Sequence, residues 1–175
     1  MLRLLCLGAP LLSACAPRLQ PSDTAAPQLD ALAGEWSGTL TYTDYGDDQS
    51  RTTLPITATA SSVQDPSFDE TGLLLNVSFR EPDGTPAGSS RTLFTPLSDA
   101  IGYDLERWQL ITASVEDDAF SYTFETESED NNRPATIRQT VAYRAGVLTN
   151  RKEVRYEGTN RFFERNIVEL TRTEP

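Results

Sequence analysis

The chain has 175 residues, with 26 acidic and 15 basic side chains and a formal charge of −11. Nucleic acid and anionic lipid surfaces would repel it, so neither is expected as a partner. It contains no histidine, which excludes Ser-His and Cys-His nucleophile systems and histidine-based zinc sites.

Charge is unevenly spread. Ala16 to Asn132 carries 5 basic and 21 acidic residues, whereas Arg133 to Arg172 carries 9 basic and 4 acidic. Two solvated sheet surfaces of opposite sign would produce this, as would a local basic patch facing an anionic partner.

Met1-Leu2-Arg3 forms a short basic start, and Leu4 to Leu12 is an apolar run too short to span a bilayer. Leu12-Ser13-Ala14-Cys15 follows. This resembles the bacterial lipobox, and the resemblance implies a signal peptide over residues 1–14, cleavage before Cys15 and acylation of its thiol. Small residues before the cysteine let an extended backbone enter a protease cleft. Two or three acyl chains give stable anchoring, at about 0.8 kcal/mol per buried methylene. Ala16 stands where an Asp retains enteric lipoproteins in the inner membrane, which points to the outer membrane facing the periplasm. Cleavage would remove Arg3 and Cys6, leaving a mature charge of −12 and no internal disulfide. Residues 15–30, with Pro17, Pro21 and Pro27, read as the lipidated cysteine and a flexible tether with a reach of about 20 Å.

Residues 31–175 read as one β-barrel-like domain, and from Ala33 onward the period is two. Trp36, Gly38, Leu40 and Tyr42 alternate with small polar residues; so do Leu73, Leu75, Val77 and Phe79, and then Phe120, Tyr122 and Phe124. Arg51–Ala60 is Thr-rich, with Pro55 marking an edge or bulge. Arg107–Val115 is apolar on both faces, so its facing is ambiguous.

The last forty residues predict a register. Pairing Arg144 with Val147 around Ala145-Gly146 sets Tyr143 opposite Leu148 and Arg138 opposite Glu153. Pairing Glu157 with Arg161 sets Tyr156 opposite Phe162, Leu148 opposite Leu170 and Glu153 opposite Arg165. One face then collects Ile137, Val141, Tyr143, Leu148, Val154, Tyr156, Phe162, Val168 and Leu170. The other collects Arg138, Arg151, Glu153, Arg155 and Arg165 as a wet face of alternating charge. The expected fold is all-β, an antiparallel meander of about eight or nine strands closing into a barrel or half-barrel.

Gly34-Glu35-Trp36-Ser37-Gly38 resembles the G-x-W first strand of lipocalins and related calycin barrels. In those barrels the Trp closes the floor against an Arg or Lys near the end of the last strand. The resemblance implies a calycin-like barrel with Trp36 and Arg172 as that pair, a contact worth about 1 kcal/mol. The motif is also similar to that of nitrobindin-like barrels, which bind haem through a histidine; this chain has none.

No catalytic site is expected. Glu125, Glu127 and Glu129 lie opposite an aromatic face, as solvated carboxylates do, rather than facing one another in a cleft. Asp44, Asp47 and Asp48 cluster in a loop whose spacing matches no calcium motif. No metal or cofactor is implied. Two readings remain. In one, Trp36, Tyr42, Phe79, Trp108, Tyr122, Tyr143 and Tyr156 line a cavity for a small apolar or amphipathic ligand, with inward-parity Asn150, Lys152, Glu164 or Asn166 anchoring a head group. In the other, the interior is filled and the surface meets an envelope protein.

Overall fold

The structure, a computed structural model, describes residues 28–173. The signal peptide, Cys15 and the tether as far as residue 27 lie outside the described residues.

Ten strands follow one another as an antiparallel meander: β1 Gly34–Thr43, β2 Arg51–Asp65, β3 Glu70–Arg80, β4 Pro86–Pro96, β5 Ala100–Tyr103, β6 Glu106–Glu116, β7 Ala119–Asp130, β8 Arg133–Arg144, β9 Val147–Tyr156 and β10 Phe163–Arg172. β1 pairs with β10 from Trp36↔Arg172 to Tyr42↔Asn166, so the sheet closes on itself. Among the described residues the count is ten rather than eight or nine. The extra strands lie in the 81–118 region, where β4 is exposed from Pro86 to Arg91 and β5 is only four residues long, so neither shows a half-buried alternation.

Closure depends on one close backbone approach. A Cβ on Gly38 would lie 1.8 Å from the Glu169 carbonyl oxygen across the β1–β10 seam, so only glycine fits. Pro55 sits where β2 has no β3 partner, since that ladder begins at Ile56↔Phe79, and its missing donor therefore costs nothing on that side.

The floor of the barrel is closed by a helical turn over residues 28–31, whose Leu29 is buried along with Leu32. Packed structure thus begins before residue 31, because Leu29 and Leu32, three apart, share one face of the turn. Trp36 lies beneath it and donates its indole N–H to the Leu32 carbonyl at 3.0 Å. The Arg172 guanidinium stands 5.2 Å from the Trp36 ring and donates to the carbonyls of Ala31 and Ala33.

The β8–β9 register is as read from the sequence, with Arg144↔Val147, Tyr143↔Leu148 and Arg138↔Glu153. The β9–β10 register agrees from Val147↔Thr171 through Leu148↔Leu170 to Lys152↔Asn166. A bulge between Glu164 and Asn166 then shifts the ladder by one residue. Glu153 faces Glu164, and Val154 faces Phe163. Arg165, expected on the wet face, is wholly buried. Phe162, expected inside, lies under the guanidinium groups of Arg138 and Arg155; Phe163 takes its place, packed 5.6 Å from Tyr156. A second bulge, between Leu110 and Thr112, leaves Ile111 exposed and explains why β6 is apolar on both faces.

Replacing Gly38 with alanine is expected to force the β1–β10 seam apart and destabilise the domain by about 2–4 kcal/mol. Chemical denaturation checks this, with Gly146→Ala as the comparison. Gly146, at φ 82°, has open space around its Cβ position and carries only the backbone strain of a turn.

Candidate functional site

Down its centre the barrel is filled. Phe94, Phe120, Tyr122 and Phe124 pack ring against ring with centroids 5.5–6.4 Å apart. The void left between Leu75, Phe94, Val141 and Leu148 is ≈ 20 Å³, room for about one water. The aromatics singled out from the sequence therefore do not line one chamber. Trp36 and Tyr143 meet edge to face at the floor, 6.4 Å apart. Tyr122 is in the central stack, Tyr42 and Phe79 are half-buried on the wall, and Tyr156 belongs to a polar cluster near the mouth.

That cluster is built around Arg165. Its Nη2 and Nε donate to one Asp130 carboxylate oxygen at 2.6 and 3.0 Å, and its Nη1 reaches Asp48 in the β1–β2 loop at 2.8 Å. Lys152 donates to the other Asp130 oxygen at 2.8 Å, and the Tyr156 hydroxyl donates to Asp130 at 3.1 Å. Burial pushes the Asp130 carboxyl up, but hydrogen bonds and charge from Lys152 and Arg165 outweigh it and hold the group below its ordinary value of 3.8. Asp44 and Asp47 are engaged by backbone N–H groups of their own loop, at Gly46 and at Gln49 and Ser50 respectively. Of the polar residues expected to face inward, Glu164 does not: the bulge turns it outward to Arg51 and Arg151.

On the β5–β8 side the mouth stays open. A cavity of ≈ 340 Å³ lies between the β5–β6 hairpin, β7, β8 and Lys152 of β9. Its apolar walls are Tyr103, Trp108 and Ile137, with Tyr103 and Trp108 edge to face at 5.3 Å. Two side chains here are nearly buried yet incompletely satisfied among the described residues: Trp108, 9% exposed, whose indole N–H has no acceptor, and Gln139, 8% exposed, whose carbonyl oxygen has no donor. Each such atom costs about 1–3 kcal/mol until it is partnered. Asn150 donates to the Tyr103 hydroxyl at 2.9 Å, and burial pushes that hydroxyl up to about 12, so it stays protonated. Trp108 is the one residue of the expected aromatic set that lines this cavity; Lys152 is the one of the expected head-group set. Tyr103 and Gln139 gave no sign in the sequence, because the cavity forms only when β5, β7 and β8 come together. The available signal was Asp104-Leu105, a two-residue turn with both residues at positive φ.

The class these features define is a closed, ten-stranded antiparallel β-barrel with one filled end and one open end. No family model matches the sequence, and no curated protein matches it. Among solved structures, the chain is similar to Rv2717c from M. tuberculosis, with a TM-score of 0.59 and 14% identity over 86% of this chain and 98% of that one. The likeness is one of fold.

Asp130→Asn leaves the buried Arg165 and the partly buried Lys152 short of a counter-charge and is expected to cost about 3–5 kcal/mol at pH 7. Because the Asp130 pKa is depressed in the fold, its contribution is complete above 3.8 and is lost as pH falls through the lower folded value. Urea midpoints of the wild type and the variant should therefore differ widely at pH 7 and converge below pH 3.8.

Proposed function

We propose that the chain is a lipid-anchored, non-enzymatic protein of the bacterial envelope, held at the outer membrane through Cys15, whose calycin-like barrel binds a small amphipathic ligand at its mouth. The observation that carries the binding reading is the pair of incompletely satisfied, nearly buried side chains, Trp108 and Gln139, on a ≈ 340 Å³ cavity of mixed polar and aromatic lining. That volume is at the small end of the range for ligand sites, and Tyr103, Trp108 and Ile137 share the lining with seven polar or charged residues. The filled centre limits the ligand to the mouth. The anchor rests on Leu12-Ser13-Ala14-Cys15, and calycin kinship on the G-x-W strand with its Trp36–Arg172 contact.

A second reading, a module that meets an envelope protein, is favoured by one feature. β4 pairs with β5 only from Phe94 to Pro96, so among the described residues Pro86–Thr92 present a free strand edge to an incoming segment.

Native mass spectrometry of the protein extracted from membranes in mild detergent tests the binding reading. The expected result is a bound mass that vanishes on denaturation and is lost in Trp108→Ala. A clean apo mass, with no uptake of apolar fluorescent probes, overturns it and leaves the strand edge as the functional surface. Fractionation tests the anchor: Cys15→Ala should move the protein from the membrane to the soluble fraction, and retention in the membrane would contradict it.

A further inference from the structure

We infer that the mouth cavity selects an organic cation: an ammonium group carried on a small apolar, preferably aromatic body. This deepens the ligand-binding reading above and rests on it.

The cavity's charges are almost all of one sign. Asp104 and Glu106 of the β5–β6 hairpin and the exposed Glu129 of β7 are among its lining residues. Among the described residues neither Glu106 nor Glu129 takes part in an ion pair. The cavity's one cation, Lys152, is already held by Asp130 at 2.8 Å, so it does not offset them. Asp104 accepts the Leu93 N–H at 2.9 Å and remains beside Glu106. An anion entering here would meet uncompensated negative charge; a cation would relieve it.

The remaining groups fit the same ligand. Gln139, nine-tenths buried, offers a carbonyl oxygen with no donor, and an ammonium is a donor with nothing to accept. In the structure that oxygen is buried beside the cavity, and a turn about the broad terminal torsion of the amide would be needed to present it there. Tyr103 and Trp108 supply the aromatic wall against which a cation or a flat apolar body rests favourably.

The test is a matched series on the full chain, titrated by calorimetry at low salt and pH 7: 1-naphthylmethylamine, 1-naphthylmethanol and 1-naphthylacetate, which share a ring system and differ in charge. The amine should bind about tenfold more tightly than the alcohol, and the acetate most weakly. In the double variant Glu106→Gln/Glu129→Gln, both sites being exposed and free to change without unfolding the chain, the amine should fall to within about threefold of the alcohol while the alcohol is unchanged. If the alcohol or acetate equals the amine, or if the double variant keeps the full preference, the charge assignment is overturned and the mouth site stands. If none of the three binds up to about 1 mM, the mouth reading falls with it.

Discussion

The upper half of this barrel is organised by the contact between Arg165 and Asp130. β10 and β7 are not neighbours in the sheet, since β9 and β8 lie between them, so the pair spans the interior as a strut. Burying two charges is costly by itself, and the geometry shows how the cost is met. Each Asp130 oxygen accepts from at least one cation, Arg165 also reaches Asp48, and the rings of Tyr45 and Phe163 stand 4.4 and 4.8 Å from its guanidinium carbon. Such a cluster contributes more to where the strands sit than to net stability. It draws the β1–β2 loop over one side of the mouth and leaves the β5–β8 side uncovered.

Packing below and electrostatics above thus divide the molecule. From the floor to the central aromatic stack the side chains fill the bore, with Trp36 and Arg172 sealing the bottom under the helical turn. Among the described residues there is therefore no deep calyx, and a ligand would have to sit at the rim. The four-residue β5 is what makes the rim low there: its hairpin ends at Tyr103, well short of the β3–β4 hairpin beside it. The acidic residues at the rim and the aromatic pair behind them follow from that local geometry, which gives the ligand proposal its structural basis.

Much of this fold was legible in the sequence because half-burial imposes period two on strands. β1, β3, β7 and the β8–β9 hairpin are placed by that rule, and the hairpin register follows from Ala145-Gly146. The rule fails where its premise fails. β4 is exposed along most of its length and β5 is buried throughout, so neither alternates. The two bulges break parity within a strand that looks regular. In β10 this reversed Arg165 and Glu164 and exchanged Phe162 for Phe163, because a single extra residue flips every side chain beyond it. The buried cluster and the mouth cavity were both invisible for the same reason: they join residues from strands far apart in the chain, and only the closed topology brings them together.

The two tryptophans provide a direct test of where a ligand binds. The Trp36 indole N–H is spent on the Leu32 carbonyl at the floor, whereas that of Trp108, at the mouth, has no partner among the described residues. In a nitrogen–proton correlation spectrum of the full chain, titration with 1-naphthylmethylamine should shift the Trp108 indole signal saturably and leave the Trp36 signal in place. Movement of the Trp36 signal alone, or of neither, would contradict a binding site at the mouth.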